Sequence, residues 1–240
     1  MNEMKVRGII LKEVKVGEGN KIFTVLTDSC GKISVSGAGV RSYKSRLAAG
    51  CGLFCCSEFI LKKGRSLYNI VSAEKLADFY GLRCSVEKLA HANYFCELAG
   101  LITDEGTESA PLLQLLLNTL HYLTGHDCYA KIKAVYELRL LCAAGFAPHL
   151  SSCAACGAAD GLTYFSAAHG GVLCSRCAGK SNMGADAKKA AEYIAAADVK
   201  KIFAFRLGEA ALSELAALSE DYAVHHIGRY PKALSYLKAL

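Results

Sequence analysis

Apolar and polar residues alternate with a period near two through the first third of the chain and with a helical period beyond it. Alternating runs at 6–11, 21–27, 32–36, 53–61 and 67–71 read as strands, with Ile33 and Val35 on one face of the third. Glycine-bearing turns around Gly17 and Gly19, at Gly31 and at Gly64 separate them. Five short strands in residues 1–80 suit a closed five-stranded barrel, and an open meander satisfies the same pattern. From Ser72 the period changes. Helices are expected at 74–80, 86–100, 111–123, 129–145, 185–197, 199–206, 210–217 and 230–240. Pro111 stands where the third would begin, a position that tolerates its missing N–H. In the fourth, Ile132, Val135, Tyr136 and Leu140 share a face and mark core.

Charge sharpens this division. The chain carries a formal +6, and residues 1–80 alone hold 13 Lys and Arg against 7 Asp and Glu. A basic excess in one region favours an anionic partner such as nucleic acid, although a solvated basic face accounts for it equally. Within it, the glycine-led loop 37–47 clusters Arg41, Lys44 and Arg46 around Tyr43. Such a loop can hold a backbone phosphate and stack on a base, or it is an exposed connector. The turn carrying Lys62, Lys63 and Arg65 would extend the same electropositive surface if the barrel brings the two together.

The sharpest local signal is Cys153-x-x-Cys156-Gly, then Cys174-x-x-Cys177. Two residues between paired cysteines let both thiolates reach one ion from a tight turn, and two such pairs complete the tetrahedron that zinc accepts. Gly157 suits the turn, and 162–165 with 168–173 forms a hairpin carrying the second pair. Four thiolates leave no open coordination position, so one structural zinc ion is expected. Redox-active pairs and a metal-free remnant are the alternatives. The other eight cysteines, Cys30, Cys51, Cys55, Cys56, Cys84, Cys96, Cys128 and Cys142, read as small buried hydrophobes. No phosphate loop, dinucleotide fingerprint or nucleophile elbow is present, so no enzyme is expected. Asp104, Glu105 and Glu108 read as a solvated linker, and His169, His225 and His226 as structural or surface residues. The apolar run 112–123 falls short of the roughly 20 residues that span a bilayer, and residues 1–5 lead straight into a strand pattern. No membrane association and a cytoplasmic location are therefore expected.

The order of several short segments resembles the bacterial RecO family of DNA repair and recombination mediators. They include Gly8-Ile9-Ile10-Leu11-Lys12, Gly17-Glu18-Gly19-Asn20-Lys21, Gly37-Ala38-Gly39-Val40-Arg41, Lys44-Ser45-Arg46-Leu47 and the Lys63-Gly64-Arg65 turn. Further on come Tyr136-Glu137-Leu138-Arg139, Gly145-Phe146-Ala147-Pro148, the four cysteines and His226-Ile227-Gly228-Arg229. The resemblance implies an α+β multidomain protein: an N-terminal five-stranded OB-fold barrel over 1–80, then a helical domain over 81–240 with an inserted four-cysteine zinc knuckle at 150–180. It implies a non-enzymatic protein that binds single- and double-stranded DNA, anneals complementary strands, works with RecR and in many bacteria RecF, and helps load RecA onto DNA covered by single-strand-binding protein. That role places it at the nucleoid during repair. It carries Arg41, Lys44 and Arg46 onto the family's basic barrel loop and the four cysteines onto its metal ligands. The tail departs from the family at Tyr230-Pro231-Lys232, which leaves that end without a carried-over contact. The competing reading is a protein-interaction adaptor with no direct DNA contact.

Overall fold

A computed structural model describes residues 3–240, so Met1 and Asn2 of the expected strand entry lie outside the described residues. Five strands build the first part: β1 (Glu3–Val16), β2 (Asn20–Thr27), β3 (Lys32–Gly37), β4 (Cys55–Lys63) and β5 (Tyr68–Asp78). They follow one another round a ring in the order β1-β2-β3-β5-β4, with β4 returning to β1. Four of the five ladders are antiparallel. The fifth, β3 with β5, is a parallel seam of only two residue pairs, Val35 with Tyr68 and Ser36 with Asn69. Alternation puts one face of each strand inside: Phe23 and Val25, Ile33 and Val35, Phe59 and Leu61 meet Val6, Ile10 and Ile70 in one core.

The expected fold class, a barrel of five short strands followed by one helical domain, is corrected on several points. β1 runs through 14 residues and β5 through 11, well beyond the alternating segments that announced them. Residues 74–78, read as helical, continue β5 and pair with β4 from Cys55 to Glu58. Good helix formers there are overridden by an available ladder. Nor do the helices form a single block after the sheet. The chain divides into two compact units, residues 1–124 with 232–240, and residues 125–231.

In the first unit, a 3-10 turn at Tyr80–Cys84 leads into α1 (Val86–Ile102), whose N-cap Ser85 accepts from the Lys88 amide at 3.3 Å. The Lys32 ammonium reaches the Gly100 carbonyl at 2.6 Å and ties α1 to the sheet. The acidic linker is not a free loop. The Gly106 amide donates to the Cys30 carbonyl at 2.9 Å and the Ser109 amide to the Asp28 carbonyl at 2.8 Å, stitching it to the β2–β3 turn. Gly31 permits that approach: its φ is +67°, and a Cβ there would meet the Asp104 carbonyl oxygen at 1.9 Å. α2 (Ala110–Gly125) follows, with Pro111 in its first turn. At the other end of the chain, α7 (Lys232–Leu237) returns to this unit. Glu97 of α1 accepts from the amides of Lys232 at 3.0 Å and Ala233 at 2.7 Å, capping the helix with a side chain from 135 residues away.

The second unit packs α3 (Tyr129–Ala143) against α6 (Glu209–Ile227), with α5 (Ala185–Ala196) beside both. Ile132, Val135, Tyr136 and Leu140 are all buried in it, as their spacing indicated. Residues 199–206 are irregular rather than helical. Their carbonyls are drawn to side chains instead: Lys131 donates to Phe203 and Phe205, and the Tyr193 hydroxyl donates to Lys201. α6 extends ten residues past its expected end and includes His225 and His226. β6 (Leu162–Ser166) and β7 (Gly171–Cys174) form the small hairpin, and a single turn, α4 (Ser175–Ala178), follows. Of the eight cysteines read as buried, Cys51, Cys55, Cys56 and Cys96 are so, Cys30 and Cys142 are half-buried, and Cys84 and Cys128 are exposed.

Candidate metal centre and nucleic-acid interface

The four paired cysteines converge. Their sulfurs all lie within 4.8 Å of one another, and Cys156 Sγ stands 3.7 Å from Cys174 Sγ. A tetrahedral zinc thiolate site, with Zn–S near 2.3 Å, needs sulfurs about 3.8 Å apart. The donor set and spacing thus fit a single tetrahedral ion.

Local backbone geometry makes this convergence possible. Gly157, at φ +77°, donates its amide to the Cys153 carbonyl at 2.8 Å and closes a tight turn around the first pair. On the second side Cys174 ends β7 and caps α4, which lifts Cys177 one turn further. Gly179, at φ +65°, ends that turn by donating to the Ser175 carbonyl. Backbone amides also act on the sulfurs. The Cys174 amide, with those of Cys156 and Ala155, holds the Cys153 thiol down at about 6 against the opposing effect of burial. The Cys177 amide lowers Cys174 likewise. Cys177 is pushed up to about 12, since hydrogen bonds with the three neighbouring thiols favour its neutral form. A cation would reverse that preference, because metal ligands bind as thiolates. Cys153 and Cys174 are buried against Leu173, while Cys156 and Cys177 face solvent. His169 stays outside the cluster and bonds Ser166 Oγ through Nδ1 at 2.9 Å.

The basic loop emerges from the end of β3. From Ser29 to Ser57 the chain contains no acidic residue, so nothing neutralises Arg41, Lys44 and Arg46 in sequence. Tyr43 is 102% exposed, and Lys44 and Arg46 are exposed beside it. Arg41 has a different standing. Its amide donates to the Gly19 carbonyl and its guanidinium to the Gly17 carbonyl, both at 3.0 Å, bracing the loop against the β1–β2 turn. That turn, flanked by Lys15 and Lys21, was absent from the sequence-based site. Lys21 is engaged with Glu13 at 2.9 Å, and Lys15 is exposed. Only the long-range register could have revealed this neighbour.

The second turn lies close by. Lys63 pairs with Tyr68, and Tyr68 with Val35. Three adjacent strands at the usual spacing put Lys63 roughly 10 Å from Val35 in the backbone. The loop departs β3 at Gly37, two positions further on. Lys63 and Arg65 are exposed and Lys62 is half-buried.

No helix among the described residues is long and apolar enough to cross a membrane. Comparison with known proteins assigns the class. The family description "Recombination protein O N terminal" matches residues 1–79, and "Recombination protein O C terminal" matches residues 83–235. A protein of Acetivibrio thermocellus described as DNA repair protein RecO is 36% identical, covering 100% of this chain and 98% of the relative. Relatives with the same description from Alkaliphilus metalliredigens and Dehalococcoides mccartyi are 33% and 31% identical, over 94% and 100% of the chain and 94% and 96% of their own lengths. These matches define a non-catalytic recombination mediator that acts on DNA in recombinational repair. The chain belongs to the RecO family.

Proposed function

We propose that this mediator binds DNA through the loop 38–47, with the β4–β5 turn beside it, and uses the four-cysteine centre as a structural zinc site. Lys44, Arg46, Lys62, Lys63 and Arg65 would contact phosphates, and Tyr43 would stack on a base. The observation that carries the reading is Tyr43, fully exposed beside Lys44 and Arg46, neither of which has an ion pair among the described residues, in an acid-free stretch of chain. An exposed aromatic among cations is the combination that binds single strands without reading sequence. Arg41 contributes by holding the loop to the β1–β2 turn, and its guanidinium retains further N–H donors for a phosphate.

The RecO resemblance supplies the wider role. The protein anneals complementary strands, engages RecR and in many bacteria RecF, and meets the C-terminal tail of single-strand-binding protein so that RecA can be loaded. It works in the cytoplasm and gathers at the nucleoid during repair.

Lys44→Ala with Arg46→Ala tests the DNA site. Arg41 is left intact because its removal would also loosen the loop. If each side chain meets one phosphate, the slope of log affinity against log salt for single strands should shrink by about 1.4. Thermal unfolding should not move, because both side chains are exposed. Affinity and slope equal to those of the parent would place the DNA site elsewhere.

A further inference from the structure

The second unit carries a hollow of about 370 Å3 that neither the metal centre nor the barrel loop uses. Asp186, Lys189 and Tyr193 of α5 line one side, and Phe205, Arg206 and Gly208 line the other. Its volume lies toward the small end of ligand sites. The wall formed by 203–208 is irregular but fixed. Lys131 of α3 donates to the carbonyls of Phe203 at 2.8 Å and Phe205 at 2.6 Å, and its ammonium lies 4.5 Å over the Phe205 ring. The Tyr193 hydroxyl donates to the Lys201 carbonyl at 2.7 Å, and the Tyr193 and Phe205 rings stand 5.5 Å apart. Both rings remain half-exposed.

Cations surround this aromatic floor. Lys189, Lys200, Lys201 and Arg206 are exposed, and among the described residues none has a side-chain ion pair or hydrogen bond. Carboxylates nearby include Asp186, Glu192, Asp198 and Glu209; Glu192 is paired with Lys188, and Asp198 is committed to the Lys200 amide at 2.8 Å. α6 begins at the rim, where its N-cap Gly208 supplies no capping side chain, so the positive end of a 19-residue helix adds to the field.

We propose that this hollow is a second contact for single-stranded DNA and holds one nucleotide. The Tyr193 and Phe205 rings receive the base, and Lys189 and Arg206 take the flanking phosphates. Lys200 and Lys201 extend the track along the strand. The inference rests on the reading that this protein binds DNA, but the site is independent of the barrel loop.

The test uses the full chain and a thymidine oligonucleotide carrying 5-bromouracil. Irradiation should crosslink it to peptides containing Tyr193 or Phe205. Lys189→Ala with Arg206→Ala should shrink the salt slope by about 1.4, and Lys189→Arg with Arg206→Lys should restore it. If the alanine pair binds like the parent while the Lys44→Ala/Arg46→Ala pair is weakened, the hollow is not a DNA contact and the barrel reading survives. If both pairs bind like the parent and crosslinks map elsewhere, both fail. Should the alanine pair keep full DNA affinity but lose an acidic peptide, the hollow is a protein-docking surface and the proposal is overturned.

Discussion

Cys174→Ala is expected to abolish metal binding and to unfold the end of the second unit that carries the hairpin. Cys174 has two roles at once: it supplies a buried thiolate and, as the last residue of β7, it starts the turn that places Cys177. Its loss leaves three sulfurs, two of them exposed. Structural zinc sites bind with an apparent free energy of roughly 10–16 kcal/mol, comparable to the whole stability of a small domain. Within 150–180, the core around the sulfurs themselves is only Cys153, Leu173 and Cys174 with four half-buried neighbours, while the hairpin beyond is anchored by buried Phe165 and Val172, with the Phe165 ring 5.2 Å from that of Tyr222 in α6. Metal analysis of protein purified under reducing conditions should give about one zinc per parent chain and close to none in the variant. The variant should also lose protection from proteolysis in this segment. Full folding with no zinc in the parent would make the centre a metal-free remnant.

The second large effect is expected between α3 and α6. Glu137 is completely buried, yet it is a carboxylate. Lys133, one turn earlier, reaches it at 2.8 Å and reaches Glu220 of α6 at 2.8 Å, while the Ser219 hydroxyl donates to Glu137 at 2.6 Å. Lys133→Met would keep the packing volume and withdraw the cation. Stranding a buried charge in this way costs about 3–5 kcal/mol, whereas removing both charges together is often neutral or better. Chemical denaturation should therefore show a lowered midpoint in Lys133→Met and recovery of most of it in Lys133→Met/Glu137→Met. A loss below about 1 kcal/mol in the single variant would mean that this pair behaves like a surface one.

Those residues also show where sequence reading reaches its limit. The spacing of Lys133 and Glu137 is an ordinary i,i+4 helix pair, visible at once; that both sit beneath α6 is not, because Ser219 and Glu220 lie more than 80 residues away. The convergence of the four cysteines was legible because the chemistry is local: the paired spacing and Gly157 fix the turn within a few residues. Strands in the first unit were legible by alternation, as at Ile33 and Val35, but their lengths depended on partners. Residues 74–78 carry helix-forming side chains and still join β5, because β4 offers an open ladder. Residues 199–206 fail to coil because Lys131 takes their carbonyls from 72 and 74 positions away. Arg41 stands in the basic loop by sequence alone, but its engagement with Gly17 and Gly19 could only be found in three dimensions. Likewise no pattern announced that Glu97 would cap α7.

The central claim is that this chain handles single strands directly rather than serving as an adaptor. Its most direct test is the annealing of two complementary oligonucleotides, each coated with single-strand-binding protein, followed by fluorescence quenching as the duplex forms. The parent protein should accelerate annealing with little dependence on sequence and a steep loss as salt rises, and Lys44→Ala/Arg46→Ala should be slower at every salt concentration. Annealing no faster than in the absence of the protein, at low salt and with zinc bound, would contradict the account.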